Sequence, residues 1–202
     1  MKHPNYVPKF DFLFFNPIHG NFVPKSTAEI FGDRNSPYQK KSILIGLPGA
    51  FTPVCTTYQI PDFEERFDEL KEFGIEQICA VLVNDGWVLG SWKNELNLKN
   101  IELLSDGNGE FTEQMNMLVS YRHLHFGWRS WRYVCLVNNS KIEKSWIEKG
   151  FTNNPWDDPY EETTFDNVLE YLKNENNFHD VEKSKEIFFQ IMDCLLYTSD
   201  AA

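Results

Sequence analysis

Two short and almost uninterrupted apolar runs constrain the fold of this chain more than any other feature. They occupy residues 42–47 (SILIGL) and 77–83 (QICAVLV), and both are too short to span a membrane. An apolar run of this length, without polar alternation, is typical of a strand that is buried on both faces of a sheet. Between the runs, apolar side chains recur at helical spacing and are expected to form a core face: Phe63, Phe67, Leu70 and Phe73. The sequence therefore predicts an α/β domain around a buried sheet.

The remaining segments extend this strand and helix alternation. An edge strand is predicted at 10–15, a third sheet strand at 101–104, and a β-hairpin from 132–137 and 142–147. Helices are predicted after residue 53, where Pro61 should kink or divide the helix, at 87–98 and at 165–172. This order of elements resembles the thioredoxin-like fold, in which helices flank a central mixed β-sheet.

Composition and charge exclude several classes of protein. Of the 202 residues 42% are apolar, which is enough for one domain core and excludes general disorder. The formal net charge of -11 repels phosphate backbones, so neither nucleic-acid binding nor a polybasic membrane anchor is expected. The sequence contains no secretory signal and no membrane-spanning run, and we therefore expect a cytoplasmic protein.

The chemistry is expected at Cys55, which follows a buried strand and a Pro/Gly turn and opens a helix. Unpaired backbone N–H groups and the helix dipole stabilise an anion at such a place, which favours a reactive thiolate. The alternative is a buried, inert cysteine, which is the commoner fate of an isolated one. The four cysteines form no C-x-x-C pair and no zinc pattern. His123 and His125 could share one strand face as metal ligands, but a solvated loop is favoured because no other ligand accompanies them.

The residues around Cys55 carry a family resemblance. Residues 47–55 read LPGAFTPVC, which resembles the P-x-x-x-T-x-x-C signature of peroxiredoxins and, in its fuller form, that of their type-5 branch. Segments 83–85 (VND), 105–112 (SDGNGEFT) and 126–133 (FGWRSWRY) agree with the same branch. The chain is most similar to the peroxiredoxin half of bacterial peroxiredoxin–glutaredoxin hybrids, and the resemblance extends over about residues 7–172.

The resemblance implies roles for four residues and a reaction. Cys55 matches the peroxidatic cysteine, Thr52 the active-site threonine, Pro48 the proline that shields the pocket, and Arg132 the arginine beside the sulfur. The implied reaction is the reduction of H2O2 and alkyl hydroperoxides through a sulfenic acid. No metal and no organic cofactor is expected.

Charge moves from the sulfur to the leaving oxygen during such a reaction, and donors that hold both peroxide oxygens would accelerate it. Arg132, the Thr52 hydroxyl and the N–H groups of Val54 and the cysteine itself are suitable donors. Pro48, Phe51 and Val54 are expected to line the substrate pocket. Arg129 is a weaker candidate than Arg132 for the position beside the sulfur.

How the sulfenic acid is reduced depends on the other cysteines. Cys79 and Cys135 lie in apolar runs and are expected to be core residues, so the sequence favours a one-cysteine cycle with an external thiol. The hybrid resemblance implies glutathione or glutaredoxin as that thiol. The predicted organisation is a peroxiredoxin domain at 1–173, a linker or the start of a truncated glutaredoxin domain at 174–193, and a non-native, adapter-derived tail at 194–202 that contains Cys194.

Two further expectations concern partners. Type-5 relatives associate through the active-site edge, so a homodimer or higher oligomer is expected, with Phe51, Trp87 and Trp92 either in the interface or in the core. The acidic residues of segment 157–162 are expected to form a solvated loop.

Two other functions also remain open at this point. A redox sensor or relay that passes oxidation to a partner thiol would begin with the same sulfenic acid. A disulfide reductase is disfavoured because Thr52 stands where the first cysteine of a C-x-x-C motif would be.

Overall fold

The computed structural model describes residues 3–16 and 18–176. The chain divides into two compact units, Met1–Phe165 and Asp166–Ala202. Within the second unit, residues 166–176 are helical and Val168, Leu169 and Leu172 are buried. Residues 177–202, which hold most of the predicted linker and the whole predicted tail, lie outside the described part of the chain.

Nine strands are described in the first unit. They are β1 (Asp11–Asn16), β2 (Asn21–Ser26), β3 (Lys41–Gly46), β4 (Ile75–Leu82), β5 (Ile101–Ser105), β6 (Leu118–Ser120), β7 (Trp128–Ser130), β8 (Tyr133–Asn138) and β9 (Lys141–Ile147). The α-helices are α1 (Thr27–Phe31), α2 (Ile60–Glu65), α3 (Phe67–Lys71), α4 (Gly86–Glu95) and α5 (Glu110–Gln114). A π-helical turn spans Cys55–Gln59, a 3-10 turn spans Arg122–Leu124, and residues 165–176 are helical.

The central sheet has five strands in the order β5-β4-β3-β8-β9. Strands β3, β4 and β5 run parallel, whereas β8 is antiparallel to both β3 and β9. The two apolar runs form the buried strands β3 and β4, as predicted, and they are neighbours in the interior of the sheet. The mixed sheet flanked by helices confirms the predicted thioredoxin-like α/β fold.

Both faces of the central strands are buried. Leu44, Cys79 and Cys135 stand in register across three strands and join a core cluster with Phe31 of α1 and Phe111 of α5. The residues between them, which point to the opposite face, are equally buried; they include Ile43, Ala80 and Val134. Because neither face is solvated, the strands need no polar alternation, which explains the continuous apolar runs.

The N-terminal part of the chain forms a separate hairpin of β1 and β2. The predicted edge strand is therefore a strand, but it pairs with β2 rather than with the central sheet. Ser26 caps α1: its hydroxyl oxygen accepts from the Glu29 N–H at 3.2 Å, and its own N–H donates to Glu29 Oε2 at 2.7 Å. This is the capping box that the spacing of Ser26 and Glu29 predicts.

The helical segment after β3 is divided, but not by a simple proline kink. The π-helical turn gives way to α2 at Ile60, so that Pro61 lies in the first turn of α2, where a missing N–H costs little. A second break lies at Arg66, whose backbone (φ -106, ψ 14) is not helical. Phe63, Phe67 and Leu70 are buried along this segment, as their spacing predicts.

Candidate active site

The loop that follows β3 is held by hydrogen bonds at close range. Pro48 and Gly49 are buried, and the Ala50 N–H donates to Asn84 Oδ1 at 3.1 Å. The Thr52 hydroxyl donates to the Gly49 carbonyl at 2.8 Å. The loop is therefore fixed from both sides before the chain enters the helix.

Cys55 begins the π-helical turn that comes next, and its exposed fraction is 0%. The Thr56 N–H donates to the Thr52 carbonyl at 3.0 Å, which places Thr52 one turn before the cysteine. π-Helical turns are rare and occur frequently at functional sites. The structure thus places the predicted cysteine in a buried and unusual turn.

The topology of the sheet brings Arg132 to this turn. Gly46 at the end of β3 pairs with Tyr133 at the start of β8, so Arg132 lies beside the loop that follows β3. Gly46 is required here, because a Cβ at that position would overlap the Tyr133 ring. Arg132 Nη1 lies 3.4 Å from Cys55 Sγ, and only 1% of Arg132 is exposed. Two residues far apart in sequence thus form a buried thiol–guanidinium pair.

Comparisons with known proteins agree with this geometry. Residues 35–169 match the Redoxin family. The chain is 47% identical to a peroxiredoxin of Rhizobium etli over 66% of this chain and 75% of that protein. The chain belongs to the peroxiredoxin family. It is also 41% identical to a hybrid peroxiredoxin of Haemophilus influenzae over 83% of this chain and 64% of that protein, which confirms the predicted resemblance.

A solved structure supports the same assignment. The Plasmodium falciparum antioxidant protein, described as a 1-Cys peroxiredoxin, superposes with a TM-score of 0.77 at 39% identity. The superposition covers 86% of this chain and 99% of that one.

Arg132 of this peroxiredoxin uses every nitrogen of its guanidinium. Besides the cysteine sulfur, Nη1 donates to Gln59 Oε1 at 2.5 Å, and Nε donates to the Pro159 carbonyl at 2.9 Å. Nη2 forms an ion pair with Asp158. The orientation of the guanidinium is therefore determined from three sides.

Asp158 adds a contact that the sequence does not indicate. Asp157, Asp158 and Glu161 are exposed, as expected of a solvated acidic loop, but the Asp158 carboxylate also forms an ion pair with Arg132. Sequence patterning could not indicate this contact, because the partners are 26 residues apart and an acidic run is typical of a surface.

A buried glutamate behind the arginine holds the same segment. Glu148, 2% exposed, accepts hydrogen bonds from the N–H groups of Glu161, Glu162 and Thr163 and from the Thr163 hydroxyl. The Glu148 N–H itself donates to the Arg132 carbonyl at 3.2 Å. One carboxylate thus connects the arginine's backbone to the segment that contacts its side chain.

Two pKa shifts report the electrostatics of the site. Burial acts to lower the pKa of Arg132, but the nearby Cys55 and Asp158 outweigh it, and the net shift is upward. Burial raises the pKa of the Tyr121 hydroxyl, with a further contribution from Asp158. Arg132 therefore stays charged and Tyr121 stays neutral at physiological pH.

The other predicted pocket residues lie on the same loop and turn. Val54 is half-buried, directly before the cysteine, whereas Phe51 is 51% exposed and adopts a left-handed backbone (φ 63). Arg129 does not contact the sulfur: it donates to the carbonyls of Val83 and Phe126, both at 3.0 Å. Trp92 is fully buried and its Nε1 donates to the Thr56 hydroxyl at 3.2 Å, so it is a core residue.

Cys79 and Cys135 occupy the core, on either side of Leu44 and in register with it. Burial raises the pKa of Cys79 to about 12, and burial raises the pKa of Cys135 as well. Because strand β3 lies between their strands, their Cα atoms are two strand spacings, about 9–10 Å, apart, beyond the reach of a disulfide. Both thiols are therefore neutral core side chains at physiological pH.

Within residues 3–16 and 18–176, no group of three or more His, Cys, Asp and Glu side chains is arranged to hold a metal ion. None of the helices in that part of the chain has the length and apolar character needed to cross a membrane.

Proposed function

We propose that this peroxiredoxin reduces H2O2 and alkyl hydroperoxides with Cys55 as the nucleophile, and that an external thiol then reduces the oxidised sulfur. Thiol-dependent peroxidase activity is the chemistry of the family. The observation that carries the residue assignment is the 3.4 Å contact between the buried Arg132 guanidinium and Cys55 Sγ. A buried cation beside a thiol favours the thiolate, which is the nucleophilic form.

The first step transfers one oxygen atom. The Cys55 thiolate attacks one peroxide oxygen, an S–O bond forms and the O–O bond breaks. The other oxygen leaves as hydroxide or alkoxide and takes a proton from water, and the sulfur becomes a sulfenic acid. In this scheme Arg132, which contacts the sulfur, and the N–H groups of Val54 and Cys55 stabilise charge as it moves to the leaving oxygen.

Thr52 has a different part in this scheme from the one the sequence suggested. Its hydroxyl proton is directed to the Gly49 carbonyl, so its oxygen can accept a hydrogen bond from the peroxide O–H. The role proposed for Thr52 is therefore to orient the hydroperoxide, while Arg132 supplies the donors.

The second half of the cycle consumes two thiols. One thiol attacks the sulfenic acid, forms a mixed disulfide with Cys55 and releases water; a second thiol attacks that disulfide and returns Cys55. The buried, high-pKa thiols of Cys79 and Cys135 support an external reductant. The similarity to a hybrid peroxiredoxin and to a 1-Cys peroxiredoxin supports glutathione, with or without glutaredoxin, in that role.

No resident cofactor takes part in this cycle, because the thiol supplies both electrons. The expectations of a cytoplasmic location and of a homodimer or larger oligomer stay part of the proposal. The exposed aromatic side chains of Phe51, in the active-site loop, and Trp87, in α4, support association between copies of the chain. Both offer apolar surface that a second copy could cover.

The test replaces each cysteine by serine in turn. With H2O2, glutathione, glutaredoxin, glutathione reductase and NADPH present, Cys55→Ser should abolish turnover, whereas Cys79→Ser, Cys135→Ser and Cys194→Ser should retain it. A sulfenic-acid trap should label Cys55 alone. Turnover that survives Cys55→Ser would contradict the proposal, and loss of turnover in any other folded serine variant would contradict the one-cysteine cycle.

The same assay separates the enzyme from the relay. A peroxidase consumes NADPH continuously, whereas a relay performs one turnover and accumulates as a mixed disulfide with a partner protein. Rapid oxidation of Cys55 without sustained NADPH consumption would favour the relay.

A further inference from the structure

The charge of Arg132 is buried at all times, whereas the charge of its sulfur partner is not constant. In the proposed cycle Cys55 is an anion as a thiolate and neutral as a sulfenic acid or mixed disulfide. Two of the remaining acceptors, Gln59 and the Pro159 carbonyl, are neutral. Asp158 is thus the one carboxylate that pairs with this guanidinium among the described residues.

A buried arginine without a counter-ion is strongly destabilising, and removal of one partner of a buried pair typically costs several kcal/mol. When Cys55 is neutral, Asp158 alone offsets the Arg132 charge. When Cys55 is a thiolate, two anions share the guanidinium, with the sulfur on Nη1 and the carboxylate on Nη2. Two tyrosines also interact with this pair: Tyr121 with Asp158 and Arg132, and Tyr160, whose ring centroid lies 5.9 Å from Arg132 Cζ. Burial raises the pKa of both hydroxyls, so both are neutral.

The backbone holds Asp158 in place independently of the sulfur. The Pro159 carbonyl accepts from Arg132 Nε, and the N–H groups of residues 161–163 are anchored on Glu148. The carboxylate is therefore presented to the arginine whatever the state of Cys55.

We propose that Asp158 is a positioning residue, the permanent counter-ion that keeps Arg132 in its catalytic orientation while Cys55 loses and regains its charge. This inference rests on the proposed function, because it requires Cys55 to alternate between an anion and a neutral group. Asp158 contacts Nη2 of the guanidinium, whereas the sulfur lies on Nη1, and it therefore acts through the guanidinium.

The first test measures stability with cysteine and with serine at position 55. Asp158→Asn is made in the natural chain and together with Cys55→Ser, which keeps position 55 neutral. At neutral pH we expect Asp158→Asn to lower the Tm in both backgrounds. The decrease should be larger by about 4 °C or more in the chain that also carries Cys55→Ser. Asp158→Glu should restore most of this loss.

Asp157→Asn is the matched control, because Asp157 is the exposed carboxylate next in the chain and no ion pair joins it to Arg132. It should leave the Tm nearly unchanged in both backgrounds. Equal Tm shifts for Asp158→Asn and Asp157→Asn, or the same shift for Asp158→Asn with and without Cys55→Ser, would overturn the inference.

The second test separates positioning from damage to the site, and it applies even if the doubly substituted chain does not fold. With Cys55 present, Asp158→Asn should slow reaction with H2O2 by about tenfold to a hundredfold, because the guanidinium is no longer aligned with the leaving oxygen. Alkylation of Cys55 by iodoacetamide depends on the thiolate but involves no leaving oxygen at the guanidinium, so it should fall much less than the reaction with H2O2. A parallel loss in both reactions would indicate a damaged site and overturn the inference.

The same measurements show which hypothesis fails. If the natural chain does not react with H2O2, the proposed function is wrong. If it reacts rapidly and Asp158→Asn reacts like Asp157→Asn, only the role of Asp158 is wrong.

Discussion

The guanidinium of Arg132 combines a fixed charge with several donors at known angles, and no other single side chain offers both. Its Nη1 serves the sulfur and Gln59 together, while Nη2 and Nε are occupied elsewhere. Lysine would keep the charge but would lose the planar arrangement. The site therefore depends on the planar arrangement of the guanidinium donors as well as on the positive charge.

Arg132→Ala should lower the rate constant for H2O2 by roughly a hundredfold or more, the usual cost of removing one donor to developing negative charge. Arg132→Lys should recover only part of the loss. Competition kinetics for H2O2 measure both variants, with Arg122→Ala as the control at an exposed site. A near-natural rate in folded Arg132→Ala would show that this arginine has no part in the reaction.

Thr52→Val should also slow peroxide reduction by roughly a hundredfold, because the valine keeps the shape of the side chain but cannot bind the Gly49 carbonyl or the peroxide. Thr52→Ser retains the hydroxyl and serves as the control. The second-order rate constants with H2O2 and a bulky alkyl hydroperoxide are to be compared. If the valine variant matches the serine variant, hydroxyl binding is irrelevant to the rate.

The sequence was sufficient for some of these residues and insufficient for others, for a physical reason. Cys55 and Thr52 could be identified because both lie in one local turn whose residue types have a chemical meaning. Arg132 was found only through the family resemblance. Gln59 and Asp158 were missed, because each acts through a contact with Arg132 that spans 73 or 26 residues. Local patterning contains no information about such contacts.

At the scale of elements, the segment from 158 to 163 has no regular structure, yet one carboxylate organises it. Glu148 receives three backbone N–H groups and a hydroxyl, more donors than a neutral side chain could satisfy at that place. The order of this segment therefore depends on a residue in the loop after β9.

Glu148→Gln should destabilise the fold by about 2–3 kcal/mol, because hydrogen bonds to a charged acceptor are replaced by weaker ones and the new amide N–H groups meet other donors. Urea unfolding measures the change. Glu76→Gln, at an exposed position of β4, is the control and should have almost no effect. An equal midpoint for the two variants would show that the Glu148 charge does not support the fold.

The predictions are correct for strands that have a strong local sequence signal. Strands that are defined mainly by pairing with another strand are not predicted. Strands β3 and β4 and the β8–β9 hairpin were predicted because their apolar content exceeds that of their surroundings. Strand β2 was missed: it is exposed, contains Pro24 and exists through its pairing with β1. Strands β6 and β7 are three residues each and were missed because they are defined by pairing alone.

At the scale of the whole molecule, several acidic groups are buried in their neutral form. Burial raises the pKa of Cys79 to about 12, and it also raises the pKa of Cys135, Tyr121, Tyr133 and Tyr160. In the unfolded chain these groups lose their protons from about pH 8.5 for cysteine and about pH 10 for tyrosine. Above those values the folded chain binds more protons than the unfolded chain, so stability falls as pH rises.

The urea midpoint should therefore be highest near neutral pH and should decline steadily from about pH 8.5 upward. Cys79→Ala removes one of the raised groups and should reduce the slope of this decline, whatever it does to stability at neutral pH. Equilibrium unfolding in urea across the alkaline range measures the slope. A midpoint that stays constant to about pH 10.5 would contradict the assignment of these groups as buried and neutral.

The complete burial of Cys55 also implies a competition between two reactions of its oxidised form: reduction by a thiol and further oxidation by peroxide. In the proposed cycle, a peroxide molecule is small enough to reach the buried sulfur, whereas a protein thiol would react only if the Cys55–Gln59 turn opened and brought the sulfur to the surface. During that interval the sulfenic acid can meet a second peroxide and pass irreversibly to the sulfinic acid. The opening rate of one turn would then determine the peroxide concentration at which the protein is permanently inactivated.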